Sequence, residues 1–181
     1  MSIDIEELAC LGAAVLAAQK LEFGIYGLAA HASHTAAAAK EKRFRTLTPE
    51  GFLRGDPTEL KATLGQLVAV FGDEFLIGTA ELNTYVDDRN LIYHNYWRLT
   101  RSSSRGSTHR LEHPVLFLKA FVESSNKLTS VINGFYALLI SALAAKTGRD
   151  VKLTDAQIRD IKVYRMHAEQ YLIQKQLREC P

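Results

Sequence analysis

The feature that most constrains this chain is the length over which apolar residues recur at helical spacing with no proline to interrupt them. From Ile5 to His31 the positions Leu8, Leu11, Val15, Tyr26 and Ala29 fall on one face of a helix. From His113-Pro114 to Lys146 the same pattern returns through Phe117, Phe121, Leu128, Val131, Phe135, Leu138 and Leu143. Only four prolines occur in 181 residues, and few β-branched runs alternate with polar residues, which leaves little room for strands. A hydrophobic content of 47% supplies a sizeable core, so residues 1–181 are expected to form one helical domain. The 23% charged residues and net charge of +2 fit neither a disordered tail nor a strongly basic nucleic-acid coat. Any nucleic-acid surface must therefore be local.

Start and stop signals divide the remainder. The basic stretch 40–45 (Lys40 to Arg45) and Thr48-Pro49-Glu50 read as a connection. Asp56 as N-cap, Pro57 at the first helical position and Glu59 as capping-box partner then open a second helix with the stripe Leu60, Leu64, Leu67, Val68 and Phe71. Gly72-Asp73 is expected to stop it and to cap a third, from about Glu74 to Trp97, carrying Leu82, Tyr85, Val86, Arg89, Tyr93 and Trp97. Residues 101–107, rich in Ser and Gly, read as a loop. Gly148 ends the long fourth helix. Thr154 and Gln157 form the box that opens a fifth, with Ile158, Ile161, Tyr164, Ala168 and Leu172 inward. The expected architecture is an all-α antiparallel bundle of about five helices, up-and-down, with the third and fourth central.

Cys10 and Cys180 lie at opposite ends of the chain and form no CxxC pair, so a reducing cytoplasm is the expected setting. Lys20, Glu22 and Gln19 break the apolar start, and Asp4, Glu6 and Glu7 stand where a signal peptide is basic; neither export nor a membrane span is expected. His31 with His34, and His109 with His113, have metal-compatible spacing, but no cysteine or carboxylate completes either set. No phosphate loop, nucleophile elbow or dinucleotide fingerprint is present, so no metal and no cofactor is expected.

Chemistry concentrates in Asp87-Asp88-Arg89-Asn90-Leu91-Ile92-Tyr93-His94, on an otherwise apolar helix. On a regular helix Asn90 and His94 share a face, and Arg89 and Tyr93 make the adjacent pair. An Arg, a polar residue, and a His a few positions on, here Arg89, Asn90 and His94 near the end of a helix in a bundle, resembles the Arg-polar-x-x-x-His signature of HEPN domains. The helix order over about residues 1 to 145 is compatible with it. The resemblance implies a metal-independent endoribonuclease, or an RNA-binding relative, in which two motifs meet across a homodimer to form one site. It also implies a toxin or defence role, with an antitoxin or regulatory protein as a further partner. The residue types suit the chemistry: histidine titrates near neutrality and serves either proton role, while arginine matches phosphate oxygens with a planar fork of donors. Asn90 would orient His94 or the phosphate, and Tyr93 supports them.

A competing reading has the Arg-Asn-His set bracing the bundle of a non-catalytic module that dimerises and binds RNA, a nucleotide or a protein. Tyr85, Tyr93, Tyr96 and Trp97 read as core or dimer-interface packing ahead of base-stacking platforms. Residues 123–126 mark a kink or polar patch in the fourth helix. Arg98, Arg101, Arg105 and Arg110 read equally as a solvated loop or as a phosphate-tracking rim. Glu22, placed within the first helix's apolar stripe, either takes up a proton or meets a cation or several donors, for which the motif helix offers Arg89; a first helix rotated or kinked at Gly24 would instead turn it to the surface.

Overall fold

The computed structural model describes residues 4–32, 48, 64–101 and 111–179. These residues form five helices and no strand. Helix α1 is Ile5–Ala32, α2 is Leu64–Phe71, and α4 and α5 are Pro114–Lys146 and Asp155–Glu179. Between them α3 runs through Ala80–Asn90, a π-helical turn Leu91–Asn95, and Tyr96–Arg101.

Local chemistry explains the well-marked ends. Pro114 occupies the first turn of α4, where its missing N–H costs nothing. Past the C-terminus of α4, Gly148 takes a φ of 65°; its N–H reaches the carbonyl of Ala145, and the Arg149 N–H reaches that of Ala144 at 2.9 Å. This is the paired closure that favours a glycine with left-handed backbone. At the start of α5 the Gln157 side chain accepts from the Thr154 N–H at 2.9 Å, while the Gln157 N–H bonds the Thr154 hydroxyl at 3.3 Å.

The helix directions follow from their cross-links. Glu22, Val15 and Glu7 of α1 meet Arg89, Tyr93 and Tyr96 of α3 in descending against ascending order, so the two run antiparallel. Glu6 meets Lys119 and Gly24 abuts Ile132, so α1 and α4 run parallel. That corrects strict up-and-down alternation, which would have made α1 and α3 parallel. Helix α4 packs most extensively, against both α1 and α5. At its closest approach a Cβ on Gly134 would stand 2.1 Å from the Asp160 carbonyl oxygen, so only glycine lets these two backbones meet.

Several expected details change. The cap of α3 is Thr79, whose hydroxyl accepts from the Leu82 N–H at 3.2 Å, and α3 begins at Ala80 instead of Glu74. Gly72 closes α2 as expected, but Asp73 receives the Tyr171 hydroxyl. Leu8, Leu143, Ile158 and Leu172 point outward, while Ala14 and Ala18 are fully buried. The apolar wheel of α1 is therefore turned from the expected one, with small side chains inward. Residues 123–126 leave α4 unbroken, because Ser125 is buried and donates to the Phe121 carbonyl at 2.8 Å. The Asp56-Pro57-Glu59 start, the connection at 40–45, Pro49, Glu50, Leu60, Arg105, Arg110, His34, His109, Cys180 and the side chain of His31 lie outside the described residues.

By length and apolarity alone, α1 and α4 could each cross a membrane; 22% of the qualifying stretch of α1 is buried in the bundle, against 39% for α4.

Candidate functional site

The motif occupies the π-helical turn of α3 and the residues leading into it. A π turn carries one residue more than an α turn, a geometry found mainly as single turns and frequently at functional sites. Arg89 precedes it and reaches across to α1, where its Nε donates to Glu22 Oε1 at 2.5 Å. Both side chains are shielded, with exposures of 14% for Arg89 and 26% for Glu22. Nη1 of the same guanidinium donates to Asn90 Oδ1 at 3.1 Å, and the guanidinium carbon lies 4.1 Å from the centre of the Tyr93 ring. Three contacts of different kinds thus hold one cation: a charge, an amide and an aromatic face. Among the described residues Nη2 has no hydrogen-bond partner.

Tyr93 is held in turn. Its hydroxyl donates to the Val15 carbonyl at 3.3 Å, and burial, then the Glu22 charge, push its ionisation above the ordinary phenol value. Two turns earlier, burial pushes Tyr85 up to about 12; its hydroxyl sits 2.9 Å from Ser125 Oγ and its ring stacks 4.6 Å from Phe121. Asp88, half-buried, is raised by its burial and then by Asp87. His94 and Asn90 are exposed.

Beside the motif, between α3 and the start of α4, lies a cavity of about 920 Å³. Leu91, Leu99, Leu111 and Phe117 give it apolar walls, while Asn90, Asn95, Arg98 and His113 contribute polar groups and Asp87 and Glu112 two carboxylates. His94 does not line it. The expected pairing of Asn90 with His94 on one face assumed a regular turn, and on the wider turn Asn90 shares the cavity with Asn95.

The basic rim divides. Arg98 is exposed and lines the cavity. Arg101 belongs to the last turn of α3 and forms an ion pair with Glu7, whose residue is only 4% exposed. The Tyr96 hydroxyl donates to the other oxygen of that carboxylate at 2.7 Å. Burial and this acceptor push the Tyr96 ionisation upward. Sequence reasoning missed this cluster, since Glu7 read as a plain acidic start and Arg101 as the first loop residue. The signal was the spacing of Tyr96 and Arg101, which a helix extended through residue 101 would have placed on neighbouring turns.

No group of three or more His, Cys, Asp or Glu side chains arranged for a metal ion occurs among the described residues. The chain matches no protein family, no curated protein and no solved structure.

Proposed function

We propose that this protein is a HEPN-like, metal-independent endoribonuclease that works as a homodimer. The observation that carries the reading is the held Arg89: Glu22, Asn90 and Tyr93 fix its guanidinium beside a π turn, while His94 on that turn stays open to solvent. In this scheme His94 of one protomer takes the proton of a ribose 2'-hydroxyl, whose oxygen attacks the adjacent phosphorus. His94 of the other protonates the departing 5'-oxygen. A 2',3'-cyclic phosphate and a 5'-hydroxyl result. Arg89 faces the charge that builds on phosphorus, and a donor fixed before reaction needs no rearrangement to do so. The cavity lined by Asn90, Asn95 and Arg98 is wide enough to seat a base next to the cut. On this reading the protein acts in the cytoplasm as a toxin or defence effector, held in check by an antitoxin or regulatory protein.

The same ion pair favours a second reading. A guanidinium occupied by Glu22, Asn90 and Tyr93 also serves as a brace, and the protein is then a non-catalytic helical module for an RNA, nucleotide or protein partner. One experiment separates the two. Purified wild type and His94→Ala are incubated with a structured RNA in excess chelator, and the product ends are read by mass spectrometry. The nuclease reading expects cyclic-phosphate ends from wild type and a loss of about 10²–10⁴-fold in His94→Ala. RNA left intact by wild type moves the brace ahead, and 5'-phosphate ends formed only with magnesium mark another mechanism.

A further inference from the structure

Helix α1 has a second apolar face. Its inner side packs through Ala14, Ala18, Leu21, Ile25 and Leu28. Its outer side carries Ile5, Leu8, Leu16 and Phe23 at exposures of 84, 57, 68 and 63%, with Ala9, Gly12 and Ala13 between them. This stripe runs for about 27 Å at the helical rise. Gln19 and Lys20 interrupt it between Leu16 and Phe23, and an exposed helix face with this many large apolar side chains marks an interaction surface.

Three features point to a second copy of the chain as its occupant. The first is shape. Laid antiparallel on its own copy, α1 sets Leu16 opposite Gly12 and, by the same twofold, Gly12 opposite Leu16, with Ile5 opposite Phe23 at each end. Nothing lies within 4 Å of where a Cβ on Gly12 would stand, so each glycine offers an open socket for the partner's leucine. A parallel pairing would set leucine against leucine and leave the sockets facing each other. The second is charge. The antiparallel arrangement lays Lys20 of one helix within two residues of the level of Glu6 of the other, a carboxylate that also meets Lys119. The third is position. The centre of this pairing falls at the level of Ala14, next to Val15, whose carbonyl receives the Tyr93 hydroxyl. The exposed His94 follows Tyr93, and Trp97, 61% exposed, lies one turn further along α3.

We infer that α1 is the homodimer interface, with two copies paired antiparallel through Ile5, Leu8, Gly12, Leu16 and Phe23 and the twofold axis at the level of Ala14. The pairing itself stands independently of any activity. Its consequence for chemistry rests on the nuclease reading: one chain supplies a single motif histidine, and an axis at that level brings the second to the same place.

The test uses the full chain with Cys10 and Cys180 changed to Ser. Oxidation of Gly12→Cys/Leu16→Cys is expected to join two chains covalently, while Leu16→Cys alone is not, because its copies lie about one turn apart in this register. Sedimentation at micromolar concentration is expected to show a dimer, weakened at least tenfold by Leu16→Glu, with helicity by circular dichroism confirming that the bundle remains folded. Cross-linking by Leu16→Cys alone, or a dimer indifferent to Leu16→Glu, overturns the interface. A monomeric wild type that floats with phosphatidylcholine–phosphatidylglycerol vesicles overturns it in favour of a lipid-facing stripe. RNA cleavage by the same samples keeps the two inferences apart. A dimer broken by Leu16→Glu that never cleaves RNA supports the interface and removes the nuclease, whereas a cleaving dimer unaffected by the change does the reverse.

Discussion

The α4–α5 pair and the α1–α3 seam are two ways of joining helices in one bundle. The first closes on a glycine against a backbone carbonyl, with Phe75, Phe135 and Tyr164 filling the space beside it at ring separations of 5.2–5.3 Å. The second is held by polar links: Glu22 to Arg89, the Tyr93 hydroxyl to Val15, and Glu7 to both Tyr96 and Arg101. Apolar closeness is tolerant of chemistry and intolerant of volume. Polar links are the opposite, since they orient particular atoms and gain little from mere proximity. The buried core runs through α1, α2, α3 and α4, with Tyr164 and Ala168 from α5; what differs is that the α4–α5 contact is set by volume, whereas the α1–α3 seam also aims particular side chains.

Glu22→Gln attacks that division most directly. It keeps the shape and an acceptor but removes the charge opposite Arg89, and hydrogen bonds to charged groups are worth roughly 1.5–3 kcal/mol. If that energy aims the guanidinium in the transition state, RNA cleavage falls about 10- to 100-fold while the melting temperature moves little. Cleavage kinetics beside a thermal melt decide it. A large drop in melting temperature with unchanged cleavage per folded molecule would make the seam structural after all.

Gly134→Ala is the converse. The new Cβ has no room beside Asp160, and overpacking of this kind costs roughly 1–3 kcal/mol, lowering Tm by about 2–12 °C in a domain of this size. Cleavage by the folded fraction should be unaltered, which scanning calorimetry and a low-temperature assay can establish together.

His167 gives a smaller, pH-dependent effect on the same side. It is 2% exposed; its Nε2 lies 3.4 Å from both the Thr79 hydroxyl and the Ile77 carbonyl, and its Nδ1 has no partner among the described residues. Burial holds its pKa below the ordinary value, outweighing the upward pull of the Ile77 carbonyl and Glu81, with Lys127 opposing as well. The folded chain keeps this imidazole neutral, whereas the unfolded chain protonates it below about pH 6.5. Stability is therefore lost as pH falls from there toward the depressed folded value. His167→Leu should flatten that acid-side decline in denaturant melts run at several pH values. Thr79 still receives the Leu82 N–H, and Ile77 the Thr79 N–H, so the change strands neither oxygen.

The smallest effect separates two arginines. Arg98→Ser should weaken RNA binding evenly across sequences and reduce the slope of log affinity against log salt by about 1. Arg101→Ser should leave that slope in place, because Glu7 already neutralises the charge. A titration series in rising salt measures both, and equal slopes for the two variants would erase the distinction drawn within the rim.

What was legible in the sequence had a local cause. The Thr154–Gln157 box, the Pro114 start and the Gly148 stop each involve residues a few positions apart, and all three occur in the structure. The Glu22–Arg89 ion pair was reachable as well, because a carboxylate shielded in a bundle takes up a proton or meets a cation or several donors, although the stripe on which Glu22 was placed is itself turned in the structure. The rotation of α1 was not legible. This helix is apolar around most of its circumference, and closeness to α4 favoured Ala14 and Ala18 inward at the expense of Leu8 and Leu16. The π turn was also invisible, since Leu91–Asn95 carries no glycine or proline and its weak helix formers do not distinguish a π turn from an α turn.

That turn lets α3 answer to two clocks. Upstream, the helix is phased so that Arg89 meets Glu22; downstream, it is phased so that Tyr96 and Arg101 meet Glu7. One extra residue absorbs the mismatch of about 100° between the two settings. Removing one residue from Leu91–Asn95 would let an ordinary α turn span the same arc with both sets of partners in step, whereas winding all five residues into a regular α-helix would send one set out of phase.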